Sequence, residues 1–271
     1  MKKAATGRPF LEVFAVALKE NYRFPILEIF AFLYAFGTFI FAGLGATVAQ
    51  SSEIFAHGLV STLTGIPLFI LMILIWANVA YGLGNDVEKG IIQTLLSYPL
   101  KRRAVLTAKL LSALGVALLL FLGIQLLALF ILAPDIARIY FSTISLTYLA
   151  NLSSSLLMAG IVLLVALILR RGGLALVVGI VLYFAFSIIT SMAFFLAWAG
   201  SDFALKAFAL IYPNMALDRY YAGFGTPSPF GPSEMWTPSF SEALGYIGVS
   251  YVIVAVIFLL CYVYFDRRLG I

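Results

Sequence analysis

The chain carries few residues that make or break bonds. Among its 271 residues one is histidine, His57, and one is cysteine, Cys261. Ser61 follows His57 by one helical turn, the least that a serine nucleophile with its own base would need. A lone pair at that spacing is equally an ordinary helix face. A zinc site of the usual Cys/His type needs four ligands, and one residue of each kind excludes it. An intramembrane metalloprotease lacks its ligands for the same reason. Cys261 sits inside an apolar run, so no disulfide framework exists. No GxxxxGK[ST] stretch occurs, so the chain holds no P-loop for nucleotide phosphates. An intramembrane enzyme is the least supported reading of this inventory.

A second group of polar residues is uncharged and lies within apolar stretches: Asn78, Gln125, Asn151 and the run Ser153, Ser154, Ser155. Polar groups at such depth either mark the path of a solute or hydrogen-bond across neighbouring helices. Asn78, Gln125, Asn151 and Ser154 are the candidates for a substrate path, and the sequence leaves both uses open. Glu28, about one turn into the first apolar stretch, can reach the membrane interface.

The elements that must position these residues follow from composition. The chain is 63% hydrophobic and 11% charged, with a mean hydropathy of +1.07. A soluble domain carries about a quarter charged residues, so lipid must be the solvent here. The fold class is all-α integral membrane, one transmembrane domain over 1–271. Crossing a hydrocarbon core takes about 20 apolar residues. Six stretches qualify, roughly 26–48, 58–83, 104–133, 146–169, 173–199 and 244–265.

Fourteen of the seventeen Lys and Arg residues fall at the termini and in the loops of one face, leaving Arg138, Lys206 and Arg219 on the other. The positive-inside rule then places both termini in the cytoplasm, in a multi-pass protein of the cell (plasma) membrane. The net charge of +5 marks that orientation and is no nucleic-acid signal. Residues 8–23 form an amphipathic helix with Phe10, Val13, Phe14, Ala17 and Leu18 on one face, suited to the interface. The external segment 200–243 holds a short helix that Pro213 should end, then a Pro-rich loop.

One crowded polar stretch interrupts the oil: "NDVEKGIIQTLLSYPLKRRAVLTAK", residues 85–109. Its pattern predicts a helix over 86–98, with Asn85 as N-cap, Glu88 at capping-box spacing, and an apolar face of Ile91, Ile92, Leu95 and Leu96. Such a helix is too short to span and lies across the cytoplasmic surface, where its free face can dock into a groove on a partner.

An acid, a Lys-Gly pair, "TLLS-P", a basic cluster and a Lys opening the next span follow in order. That order resembles the first cytoplasmic loop of the ABC-2 type transporter permeases. The matching residues are Glu88, Gly90, Thr94, Leu95, Leu96, Ser97, Pro99, Arg102 or Arg103, and Lys109. One departure is that "IIQ" follows Gly90 where the family usually has Thr, which shifts that Thr to Thr94.

The resemblance implies a division of labour. Two permease copies, as homodimer or heterodimer, pair with two separate ATP-binding cassette ATPase subunits, and a coupling helix seats in a cleft of each ATPase. Here that helix is 86–98, and the residues expected to meet the ATPase are Asp86, Glu88, Gly90, Ile91, Thr94, Leu95, Ser97, Pro99, Arg102 and Arg103. The chain needs no cofactor of its own; ATP and Mg belong to the partner. The other expected contact is membrane lipid, with no nucleic acid. An apolar interior leans toward export of amphiphilic or lipid-like molecules. The alternative from another class is an ATP-independent secondary transporter or channel, which commonly shows internal repeats or buried mid-membrane charge.

Overall fold

The computed structural model describes residues 9–22, 25–45, 52–96, 102–223 and 235–268, and no strand occurs among them. Chain order is α1 (Pro9–Asn21), α2 (Ile26–Gly45), α3 (Glu53–Val79), a π-turn (Ala80–Gly84), α4 (Asn85–Glu88), α5 (Ile91–Leu96), α6 (Arg102–Leu132), α7 (Pro134–Ile139), α8 (Phe141–Leu169), α9 (Gly172–Trp198), α10 (Phe203–Ala209), α11 (Asn214–Ala222) and α12 (Phe240–Arg268). In hydrocarbon every backbone N–H and C=O needs a partner within its own segment, so long apolar runs have no choice but helix.

Among the described residues five helices are long and apolar enough to cross a membrane, one of them Glu53–Glu88, which runs unbroken from α3 through the π-turn into α4. A sixth is counted when α1 and α2, bent by 68° from each other, are taken as one broken span. The bend separates an amphipathic α1 from the apolar α2, as the sequence expects. Three helices start ahead of the stretches expected to span: α3 at Glu53, α8 at Phe141 and α12 at Phe240.

Caps explain two of these longer starts. The Ser52 hydroxyl accepts from the Phe55 N–H at 3.2 Å. At α12, Ser239 Oγ accepts from the Glu242 N–H while Glu242 accepts from the Ser239 N–H at 2.7 Å, a reciprocal box that the spacing Ser-x-x-Glu displays openly.

Helices α3 and α8 form the centre. Half or more of their most apolar stretches is buried, against less than a quarter for α9 and α12. Helix α3 packs on α2, α6, α8 and α9, α8 on α12, and α1 lies along α6. Since lipid is as apolar as leucine, this packing rests on close fit and hydrogen bonds rather than on exclusion from water. The central contacts show it. Tyr34 of α2 meets Phe121 of α6 edge-on at 5.9 Å, and Trp76 of α3 meets Tyr183 of α9 at 6.2 Å, also edge-on.

Beyond α9 the short helix α10 ends at Ala209, ahead of Pro213. Pro213 occupies the N-cap position of α11, where its fixed φ suits a helix start and its missing N–H costs nothing.

Candidate functional site

The polar stretch 85–109 folds differently from the single helix its pattern predicts. Asn85 does not cap anything. It has helical backbone angles, and its N–H closes the π-turn on the Ala80 carbonyl, so α4 simply prolongs α3. The helix then breaks at Lys89–Gly90. Gly90 has φ 71°, a left-handed conformation that a side chain resists, and α5 begins after it at Ile91. Ser97 and Pro99 lie outside the described residues.

This geometry splits the expected docking residues into two sets. Glu88, Ile91 and Thr94 are exposed, and Gly90 sits between them at the break. Leu95 belongs to the same short helix. Ile92, on the inner side of α5, is buried in the main core. Asp86 is only 7% exposed, and its carboxylate turns inward onto Lys109, so it anchors the segment to the bundle. Arg102 and Arg103 already have a partner within the chain. Arg103 Nε donates to Asp266 Oδ2 at 2.6 Å and Arg102 Nη1 to the Asp266 carbonyl at 3.3 Å, tying the start of α6 to the end of α12.

Lys109 is the hub. Its ammonium is buried and donates to Asp86 of α4, to Glu20 Oε2 of α1 at 2.9 Å, and to the carbonyl of Gly82 in the π-turn at 3.4 Å. An ammonium has three donors, and all three are used. A charge removed from water this far would be costly alone; with two carboxylates and a carbonyl it is held in place and holds them. Neighbouring hydrogen bonds repeat the same ties. Asn21 at the end of α1 donates to Ser112 Oγ of α6 at 2.9 Å, and Asn78 of α3 donates to the Ala113 carbonyl at 3.2 Å.

A glycine contact joins the fifth apolar helix to this hub. Gly172, the first residue of α9, lies so close to the π-turn that a Cβ there would stand 2.2 Å from the Ala80 oxygen. A Cβ on Gly84 would stand 2.7 Å from the Gly172 Cα. Only glycine permits this approach, at a turn where Arg170 also takes a left-handed φ of 53°. The π-turn, a rare form enriched at functional sites, is thus clasped from both sides, by Lys109 and by Gly172.

The expected substrate-path residues are otherwise employed. Gln125 is fully buried and donates to Thr38 Oγ1 at 2.8 Å and the Leu63 carbonyl at 3.1 Å, while accepting from Tyr148 at 3.2 Å. Asn151 donates to Thr64 at 3.2 Å, Ser154 to the Asn151 carbonyl at 2.9 Å, and Asn78 as described. All four are buried. Their polar groups staple helix to helix or return to their own backbone.

His57 is the other residue whose surroundings the sequence did not reveal. Far from standing alone, it is wedged between Thr147 Oγ1 of α8 at 2.9 Å and Asp218 Oδ1 of α11 at 2.8 Å, with its ring stacked on Tyr221 at 4.5 Å. Ser61, its neighbour in sequence, takes no part. The arrangement clasps α11 to α3 and α8 at the end of the bundle away from Lys109. Arg219 extends the clasp by donating to the Trp236 carbonyl at 3.1 Å. Among the described residues no cluster of His, Cys, Asp or Glu could hold a metal ion.

These features define a multi-pass helical membrane protein whose second long span carries, past a π-turn, an ion-anchored extension broken at Gly90. The chain belongs to the ABC-2 family of transporter proteins: that family's profile matches residues 84–268, more than half of the chain, beginning at the last residue of the π-turn. No curated protein matches it. The family is one of transport membrane subunits.

Proposed function

We propose that this chain is the permease subunit of an ATP-binding cassette exporter, driven by a separate ATPase that seats against the exposed side of α4–α5. The observation that carries this reading is the Lys109 hub. A merely interfacial loop helix needs no connection to the bundle, whereas this segment is joined to four elements at once. Helix α4 is continuous with α3, bonded through Lys109 to α6 and α1, and the π-turn beneath it is pressed against the start of α9.

Displacement of α5 by a closing ATPase pair would therefore move the spans together, with Gly90 as the elbow between docking and transmitting parts. Glu88, Ile91 and Thr94 form the docking face, with Gly90 and Leu95 of the same segment and Ser97 and Pro99 following it. ATP and Mg bind in the partner. The basic loops support cytoplasmic termini, and the membrane proposed is the plasma membrane. A second permease copy, identical or similar, completes the pore against the apolar faces that α2 and α9 leave exposed, among them Phe32, Phe36, Val181 and Ile188. The uncharged core supports an amphiphilic, lipid-like substrate.

The test is purification in mild detergent of the native chain and of Glu88→Lys, which changes an exposed charge and leaves the hub intact. Co-purification of a stoichiometric ATPase with the native chain, weakened by the substitution, supports the reading. A chain that comes alone and transports equally well in both forms is an ATP-independent carrier, and the reading fails.

A further inference from the structure

Helices α6 and α8 are joined by the short α7 and stand apart near it, leaving a cleft of about 370 Å³. Its walls are hydrocarbon, from Leu126, Leu129 and Phe130 on α6 to Ile144 and Leu149 on α8, with the buried Ala137 of α7 also lining it. The floor is closed by Tyr148, whose hydroxyl is already committed to Gln125. Of the lining residues only Ser145 and Tyr148 carry side-chain polar atoms. Leu126, Phe130 and Leu149 are between 41% and 53% exposed, so the cleft opens sideways toward the bilayer.

The α6 wall from Leu122 to Phe130 rises roughly 12 Å, at 1.5 Å per residue. A hydrocarbon-lined cleft of that length matches a stretch of one extended acyl chain.

Charge decides the headgroup. Arg138 follows Ala137 on α7, is exposed, and makes no ion pair among the described residues. Asp135 occupies the first turn of the same helix, where it complements the helix dipole, and Arg138 the last.

We propose that this cleft holds one acyl chain of an anionic phospholipid, whose headgroup pairs with Arg138 at the membrane surface. The site lies outside the Lys109 hub and owes nothing to the ATPase reading: it stands or falls whether or not the chain is driven by ATP. A lipid seated there fills the gap between the third and fourth apolar helices where Gln125 is their cross-tie.

The test is native mass spectrometry of the full chain, delipidated in detergent and then offered dimyristoyl phosphatidylglycerol or phosphatidylcholine in separate titrations. The native chain should retain one phosphatidylglycerol, bound about fivefold more tightly than phosphatidylcholine, the pull of one basic residue on an anionic headgroup. Arg138→Gln should bind the two lipids equally. Leu149→Trp and Leu126→Trp, each placing bulk in the cleft from a lipid-exposed position, should retain neither, with circular dichroism reporting that they remain folded; two positions guard against one failing to fold. Equal binding of both lipids by the native chain would overturn the proposal, as would retention undiminished by the folded tryptophan variants or a phosphatidylglycerol preference that survives Arg138→Gln.

Discussion

Two adjacent glycines at the start of α9 should respond to the same substitution with opposite sign. In Gly172→Ala the new methyl would be built 2.2 Å from the Ala80 oxygen and 3.1 Å from the Asn85 nitrogen. Both are backbone atoms of the π-turn and cannot swing aside as a side chain tip would. The hydrogen now in that position points at the Ala80 oxygen in the manner of the weak Cα–H···O contacts seen between close helices. Ordinary separation requires the two backbones to part by about 1 Å, and overpacking of this kind costs about 1–3 kcal/mol. At about 2–4 °C per kcal/mol for a chain of this order of size, the melting temperature should fall by roughly 2–12 °C. Gly173→Ala meets nothing within 4 Å and removes a helical glycine, worth about 0.5–1 kcal/mol in the favourable direction.

Thermal unfolding in detergent, followed by circular dichroism, compares the two variants directly. In membranes, Gly172→Ala should also lower transport more than its loss of stability explains, because α9 would ride higher on the turn that drives it. If Gly172→Ala melts like the native chain, α9 does not rest on the π-turn, and the argument that α9 moves with α4 collapses.

Two further substitutions examine the opposite ends of the bundle. Lys109→Met leaves the carboxylates of Asp86 and Glu20 facing each other without a cation, a loss of about 3–5 kcal/mol. Adding Asp86→Asn should restore part of that loss. Strictly additive stabilities in this double-mutant cycle, measured by denaturation in mixed micelles, would show that the hub is not a unit. His57→Ala removes the ring stacked on Tyr221 and the link to Asp218, which is 44% exposed and so adds little through its charge alone. A loss of about 2 kcal/mol is expected, mainly from lost packing, while Asp218→Asn should cost under about 1 kcal/mol. Protease digestion from the His57 side should cut the α10–α11 segment faster in His57→Ala, and unchanged digestion would deny the clasp.

The apolar spans were legible because hydrocarbon leaves the backbone one solution and because length alone distinguishes a span. The bend between α1 and α2 was legible from the change in amphipathic pattern around Pro25. What escaped the sequence is long-range or backbone-specific. The Asp86–Lys109 and His57–Asp218 pairs join residues 23 and 161 positions apart, and no periodicity links them. A π-turn leaves no compositional mark in "AYGLG", and Gly172 looks like any turn glycine until the atom opposite it is known. Pro213 also opens α11, because a proline that follows one helix is equally fit to start the next. The Ser239–Glu242 box, by contrast, was on view in the sequence and would have set the start of α12.

The polar interruption at 85–109 is best understood through what its charges do not touch. Had the stretch served only to lie on the membrane surface, Asp86 and Lys109 would both face water, as the long side chains of interfacial segments do. Instead one acid and one base turn inward and spend their charge on each other, leaving Glu88 and Lys89 outside. Burying an ion pair adds little stability compared with apolar residues of the same volume. Its return is geometric, because an ammonium with three fixed acceptors holds α1, α4 and the π-turn at set distances from α6. In the coupling role proposed for this segment, an elbow at Gly90 transmits a push only if the arm behind it does not yield, and the hub would supply that stiffness directly behind the break.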